Sequence, residues 1–432
     1  MRYISSLFRA GQPRHPSLPK RGQTYLSVKV RLCVEVMRTP INDSNPVRLK
    51  KELLKLVQKR LKNVELKVAK SDSHSRRKPI GCGLTIHPGI GCPLQCSYCY
   101  IYDMGFSRNA TSYSLSGLQL VAALLFNKYF YPTRWGTYLA FGSVTEPFLP
   151  NIWPKTLEYF KAVGEYLGNP CQVSTKMIIN DEKVDELAKV SGSKLSILVT
   201  VTSLSQYVRL ERRVPDPFKR LELVSKLRSK GFKPFIFIRP LLPGLKAEEV
   251  DDIIERAKAS GAYGIVVGNL RLSPSIMERL TKEGIDVAKH LKIDLSKLKR
   301  GFVDVRVDSN TQPLIRERAL KKGLIFLKRA CCANTVSQLL SGYDDVACPS
   351  LCFLNEEACE KSCPSRCKVK AKGEPKHLNF HEVIKEVLGS DEYEVEIEDY
   401  TMYIKLKKPL RDEKLAGFAL SYLFRRRVRF IR

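Results

Sequence analysis

Between about residue 83 and residue 330, short apolar runs alternate with amphipathic stretches. The apolar runs are 83–87 (GLTIH), 137–141 (TYLAF), 171–174 (CQVS), 195–201 (LSILVTV), 234–238 (PFIFI) and 264–268 (GIVVG). Helical patterns lie near 115–130, 154–167, 181–190, 216–230, 247–260 and 274–283. Strands that read as continuous apolar runs, each followed by a helix, predict a parallel sheet with its helices outside. Six such units are fewer than a closed eight-unit barrel needs, so the expected fold is α/β, a partial (β/α)6 TIM-like barrel. A strand at 303–307 (VDVRV) and a helix near 313–322 are expected to close one side.

The flanks read differently. Leu49, Leu53, Leu54, Leu56, Val57 and Leu61 mark a helix rich in lysine. Residues 331–370 are cysteine-rich with little periodicity. Residues 371–432 return to a small α+β pattern: a helix near 380–388, strands at 392–398 and 401–407, a helix near 411–424 and a strand at 427–431. The division expected is therefore 1–36, 37–80, 81–330, 331–370 and 371–432. The first segment reads as a disordered extension or a misassigned start before Met37, with an organellar transit peptide as the alternative. No run of about 18 apolar residues marks a membrane span.

Composition changes this picture in two respects. The 432 residues carry 74 Lys+Arg against 44 Asp+Glu, a formal charge of +30. It divides as +15 over 1–80, +14 over 81–330 and +1 over 331–432. Such an excess fits a polyanionic partner, nucleic acid (DNA or RNA) ahead of a membrane surface. Short basic runs occur at Arg76-Arg77-Lys78 and Arg425-Arg426-Arg427, and Lys50, Lys51, Lys55, Lys59, Arg60 and Lys62 crowd one helix. Such runs are commonly solvated faces. No nucleic-acid-binding motif of known type accompanies them.

The second anomaly is 13 cysteines. They cluster at metal-ligand spacings, in a large chain without a secretory signal, which points to a reducing cytoplasm rather than a disulfide framework. Cys92, Cys96 and Cys99 form CxxxCxxC directly after the first strand. Thiolates on one short loop suit zinc or an iron–sulfur cluster. Zinc would normally take a fourth ligand. Sites in parallel α/β folds form at the C-terminal ends of strands, where this loop lies.

The motif, with Tyr98 before its third cysteine, resembles the radical S-adenosylmethionine (radical SAM) superfamily. Gly142-Ser143-Val144-Thr145-Glu146-Pro147-Phe148, Ser174-Thr175-Lys176, the stretch from Leu210 to Leu221, Pro240-Leu241-Leu242-Pro243-Gly244 and Asn269-Leu270-Arg271-Leu272 follow in order. Together they resemble the spore photoproduct lyase-like branch over roughly 80–290. The resemblance implies a [4Fe-4S] cluster on Cys92, Cys96 and Cys99 that binds SAM at its open iron. One electron would cleave SAM to methionine and a 5′-deoxyadenosyl radical, which abstracts a hydrogen atom. It also implies cofactor contacts from Tyr98, from Ser143, Thr145 or Glu146 to the SAM amino group, and from Lys176 to its carboxylate. Thr200, Thr202 or Ser203 would reach the ribose or methionine part, and Arg271 the substrate or SAM. An external reductant such as flavodoxin or ferredoxin would supply the electron. A true spore photoproduct lyase has a hydrogen-donating cysteine two positions before the matching serine. Here that position is Phe141, which argues against thymine-dimer reversal by that route.

Cys348, Cys352, Cys359, Cys363 and Cys367, with Cys331 and Cys332 upstream, give seven thiols in 37 residues. A second [4Fe-4S] cluster on the last five is expected, with zinc as the runner-up. Cys33, Cys82 and Cys171 read as ordinary thiols. The expected function is hydrogen-atom abstraction by a radical SAM enzyme, nucleic acid being the favoured substrate. The alternatives are a non-catalytic iron–sulfur or zinc protein that binds nucleic acid, and a radical SAM enzyme acting on a peptide or metabolite.

Overall fold

The computed structural model describes residues 44–79, 83–191, 195–290, 298, 301–305, 310–343, 378–398 and 401–431. Two helices open it, α1 (Pro46–Arg60) and α2 (Asn63–Ser71). The α/β run follows as β1 (Leu84–Ile86), α3 (Gly117–Phe126), β2 (Leu139–Phe141), α4 (Trp153–Tyr166), β3 (Cys171–Thr175), α5 (Asp181–Ser191) and β4 (Ser196–Thr200). It continues with α6 (Pro217–Ser229), β5 (Phe235–Ile238), α7 (Ala247–Ala259) and β6 (Gly264–Val267). Next come β7 (Leu270–Leu272), α8 (Pro274–Lys282), β8 (Val303–Val305), α9 (Thr311–Lys321), β9 (Ile325–Leu327) and α10 (Ala330–Leu340).

Seven strands form one parallel sheet in the order β1-β2-β3-β4-β5-β6-β9. Every residue of β4, β5 and β6 is buried, as a sheet covered on both faces requires. Helix starts follow local chemistry. Ser116 and Gln119 cap α3 reciprocally, and Asp216 caps α6 just ahead of Pro217.

The strand expected to close one side does something else. β8 pairs antiparallel with β7 in a separate two-stranded sheet. Asp304 is exposed between half-buried Val303 and buried Val305, a polar alternation that does not suit a strand covered on both faces. The seventh strand is instead β9, beside β6. Gly264 permits that pairing, because a Cβ there would stand 2.1 Å from the Ile325 carbonyl oxygen.

α10 closes the N-terminal end of the open barrel. It covers Leu198, Phe235, Phe237 and Val266. Ala330 O accepts from Gln172 Nε2 at 2.9 Å, and Asn334 Nδ2 donates to Cys171 O at 3.0 Å. Cys331 and Cys332 lie on this helix, with Cys331 fully buried. The mouth is left at the C-terminal ends of the strands.

The tail comprises α11 (Phe380–Leu388), β10 (Tyr393–Glu398), β11 (Thr401–Leu406), α12 (Glu413–Phe424) and β12 (Arg427–Ile431). It packs on α1 and on the loop before β2: Tyr422 OH accepts from Tyr138 N at 3.2 Å and Arg425 Nη2 donates to Trp135 O at 3.0 Å. Part of the basic excess is thereby consumed inside the fold. Arg425 is buried, Lys78 sits over the Tyr129 and Phe418 rings, and Lys50 donates to Asn127 O at 2.6 Å. Lys55, Lys59 and Lys62 stay exposed. No helix among the described residues is long and apolar enough to cross a membrane.

Candidate active site at the strand ends

The three-cysteine loop leaves β1 under tight backbone control. Gly91 adopts φ +82°, where a Cβ would stand 2.2 Å from the Asn109 carbonyl oxygen. Gln95 is left-handed at φ 52°. Tyr102 OH staples the loop, donating to Cys92 O at 2.8 Å and accepting from Gln95 N at 3.1 Å. Arg279 of α8 holds its far side, with Nε to Ser97 O at 3.0 Å and Nη2 to Cys99 O at 2.8 Å. The Arg279 guanidinium is itself set by Asp103 at 2.9 Å.

Cys92 and Cys96 are buried, Cys99 is half-buried, and none forms a disulfide. Burial pushes all three thiols up, Cys92 to about 11, while the Lys176 ammonium opposes it at each. Among the described residues no three His, Cys, Asp or Glu side chains converge as a ready site for a single metal ion. Three thiols spread along a loop fit a multi-iron cluster, in which each cysteine takes a separate iron.

Beneath the loop lies a buried polar brace. The backbone of Cys96 bridges to Glu211, and Ser97 N donates to Leu210 O at 2.9 Å. Tyr98 OH donates to the Glu211 carboxylate, as does Thr202 Oγ1 at 3.0 Å. Arg220 Nη2 reaches the same carboxylate at 2.6 Å and Arg220 Nη1 reaches Thr200 O at 2.6 Å, both side chains being fully buried. Burial would raise the Glu211 carboxyl, but Arg220 and Lys176 overcome it and hold it below the usual range.

The segment after β2 turns through Gly142 at φ 88°. The Ser143 carbonyl accepts from Tyr100 OH at 2.8 Å. Glu146 accepts from Thr175 Oγ1 at 2.7 Å, Lys176 N at 2.9 Å and Phe148 N at 3.1 Å, so it ties the ends of β2 and β3 together. Burial raises its carboxyl above the ordinary value. Thr145 Oγ1 is buried with no hydrogen-bond partner, a free polar group where a ligand is expected. Phe141 packs on Phe160 of α4, with ring centroids 4.5 Å apart.

Lys176 directly follows β3, with its ammonium 5.5 Å from the Tyr98 ring centroid. Burial would lower this ammonium, but the charges of Cys96, Glu211 and Glu146 outweigh it and raise it. At the end of β4, Thr200 is engaged through its carbonyl, and just beyond it Thr202 through its hydroxyl. Ser203 Oγ turns to Glu249, 2.6 Å away. Arg271 of β7 stands over Tyr100 at 5.4 Å and Phe302 at 4.7 Å. The geometry thus gathers Tyr98, Lys176 and Thr202 about Glu211, and sets Arg271 beside Tyr100. Cys348, Cys352, Cys359, Cys363 and Cys367 lie outside the described residues.

Glu211, Arg220 and Arg279 were not singled out from sequence. The first two stand nine positions apart within the quoted stretch from Leu210 to Leu221, and no periodicity links them.

Behind β1, Arg77 of the first basic run is half-buried, not a solvated charge. Its Nη1 donates to Thr85 Oγ1 at 2.7 Å and to His87 Nε2 at 2.6 Å. His74 donates from Nδ1 to Asp72 at 2.7 Å and accepts from His87 N at 3.2 Å. Burial holds both imidazoles below the ordinary 6.5, His87 at about 3. The unfolded chain therefore takes up protons here as pH falls below 6.5, while the folded chain does not. Stability is expected to fall between pH 6.5 and about 4 by about 1.4 kcal/mol per pH unit from His87, with His74 adding in the same direction. Urea denaturation from pH 7 to pH 4 checks this, and a flat midpoint would contradict it.

Residues 86–257 match the radical SAM superfamily. A protein of Acidianus two-tailed virus described as "Uncharacterized protein ORF301" is 22% identical over 244 residues, covering 51% of this chain and 79% of that one. Among solved structures, a spore photoproduct lyase with bound AdoMet and dinucleoside spore photoproduct is similar at a TM-score of 0.44. It is 14% identical, over 55% of this chain and 72% of that one. Streptococcus suis SuiB bound to S-adenosylmethionine is similar at a TM-score of 0.37 and 13% identity, over 60% of this chain and 52% of that one. Residues 86–257, which hold the three-cysteine loop and its brace, thus form a radical SAM domain.

Proposed function

We propose that this enzyme carries a [4Fe-4S] cluster on Cys92, Cys96 and Cys99, and that it cleaves SAM reductively to abstract a hydrogen atom from a nucleic-acid substrate. The observation that carries the reading is the braced three-cysteine loop facing Lys176 at the mouth of the sheet. When bound, the cluster supplies the electron that splits SAM. The chain's own residues would hold and orient the ligand: Lys176 its carboxylate, with the open Thr145 hydroxyl offering a further polar contact. Ser143, Thr145 and Glu146 keep their proposed place near the SAM amino group, Glu146 as the group that fixes the turn. Thr200, Thr202 and Ser203 line the end of β4, and Arg271 with Tyr100 faces the substrate side.

The ordered motifs support the spore photoproduct lyase-like branch, with a reaction other than thiol-assisted dimer reversal, since Phe141 occupies the donor position. Charge supports nucleic acid over a peptide or metabolite. A second [4Fe-4S] cluster, or zinc, on Cys348, Cys352, Cys359, Cys363 and Cys367, an external low-potential reductant and a cytoplasmic setting complete the proposal.

Electron paramagnetic resonance of the anaerobically reconstituted, reduced protein tests it. A [4Fe-4S] signal that changes on adding SAM is expected, and a signal indifferent to SAM would count against it. Iron analysis should give about eight irons per chain, whereas about four would move the second site to zinc or free thiols. Binding to duplex DNA and to RNA should weaken steeply with salt, and a flat log–log slope would remove the phosphate explanation.

A further inference from the structure

The apolar face of the tail sheet runs past its cover. Met402 and Ile404 of β11 are fully buried among side chains of α11 and α12. Their cross-strand neighbours on β10 are not. Val395, opposite Ile404, is half-buried, and Ile397, opposite Met402, is 38% exposed. Together with Tyr393 and with Phe380 of α11, they line an open groove of about 540 Å³ between α11 and β10. Lys385 and Asp391 in its lining neutralise each other at 2.8 Å.

β10 is also an edge. It pairs with β11 on one side, and among the described residues no strand pairs with it on the other. Its alternate positions, on the face away from the groove, are Glu394, Glu396 and Glu398, all exposed. Glu394 meets Lys405 at 3.2 Å, while Glu396 and Glu398 have no cationic partner among the described residues. This row of acids stands out in a chain of net charge +30. An edge guarded against pairing carries charge on the face a neighbour must bury, or a proline or bulge. Here that face is Tyr393, Val395 and Ile397, and the charge lies on the other.

We propose that this edge takes up an extended polypeptide segment of a partner protein whose side chains alternate between apolar and basic. The segment adds a fourth strand beside β10, with its backbone paired along the free edge. A strand's period of two sends its apolar side chains into the groove and its Lys or Arg side chains toward Glu396 and Glu398, so one register satisfies both faces. The six residues of β10 accommodate about 20 Å of such a strand. The glutamates repel a phosphate backbone, which separates this surface from any nucleic-acid site. Binding of this kind does not depend on a cluster or on SAM.

The test uses the full chain and fluorescent heptapeptides of alternating lysine and valine, read by anisotropy at fixed ionic strength. A glutamate–valine peptide controls for charge. A lysine–valine peptide methylated at every backbone nitrogen keeps its side chains but cannot pair with the edge. The unmodified lysine–valine peptide should bind, with the methylated form weaker by about tenfold or more. Glu396→Lys/Glu398→Lys, at two exposed positions, should reverse the preference toward the glutamate–valine peptide. Ile397→Asp should weaken both peptides. Absence of binding, equal binding of the methylated peptide, or a preference that survives the charge reversal would each overturn the proposal. Self-association in sedimentation that Ile397→Asp abolishes would also overturn it, by giving the groove to a second copy of this chain.

Discussion

Arg220→Met is expected to destabilise the protein by about 3–5 kcal/mol, the usual consequence of removing one partner from a buried ion pair. Arg220 and Glu211 are both fully buried at 2.6 Å, so the variant leaves a carboxylate with no countercharge in direct contact. Glu211 would recover by taking up a proton on the vacated Oε2, which leaves Oε1 an uncharged and weaker acceptor for Tyr98 and Thr202. Since Tyr98 lies between Cys96 and Cys99, two of the proposed ligands, iron retention should fall with stability. The double variant Glu211→Leu/Arg220→Met separates the two effects. It removes both charges, so most of the stability should return, whereas the loop, having lost the Tyr98 anchor, should still hold iron poorly. Chemical denaturation and iron analysis of the three proteins check this. A single variant as stable as wild type would show that the ion pair does not hold the loop.

Cys96→Ala should reduce SAM cleavage to the uncatalysed background, because a cluster short of one ligand is not retained in catalytic form. Cys96 is buried, and a slightly smaller apolar side chain should leave the fold in place, so loss of activity with an unchanged melting temperature is the expected pair of results. Lys176→Met provides the contrast. It keeps all three thiols and removes the proposed carboxylate contact, so iron content should stay while the apparent affinity for SAM weakens about 10–100-fold, as befits a charged hydrogen bond. Equal iron loss in both variants would place Lys176 in the support of the cluster rather than in SAM binding.

The parts legible in the sequence were those with a local signature. Each of the six apolar runs became a strand, and the three-cysteine spacing marked the loop by itself. The helix and strand pattern of 380–431 was also readable, because the strands alternate and the helices carry apolar stripes. β9 escaped because three residues, Ile325–Leu327, give no period, and its place depends on contact with Gly264 across some 60 residues. The run 303–307 misled because its apolar content signalled a strand without saying which sheet. Its exposed Asp304 was the informative residue.

The brace under the loop was hidden for a similar reason. Glu211, Arg220 and Arg279 are charged residues in charged stretches, and only their burial or their contacts with loop carbonyls separate them from solvated side chains. The same holds for Arg77 and Arg425: both sit in basic runs, and both turn inward to hold other parts of the chain. The +30 is therefore an upper bound on the charge available to a partner.

On the proposed function, this loop holds a cluster that splits SAM. The most direct test is anaerobic reconstitution of the full chain with iron and sulfide, reduction with dithionite, addition of SAM and quantification of 5′-deoxyadenosine by mass spectrometry. 5′-Deoxyadenosine and methionine are expected from the wild-type protein and none from Cys96→Ala. A verified four-iron cluster that yields no 5′-deoxyadenosine, or equal product from both proteins, would contradict that function.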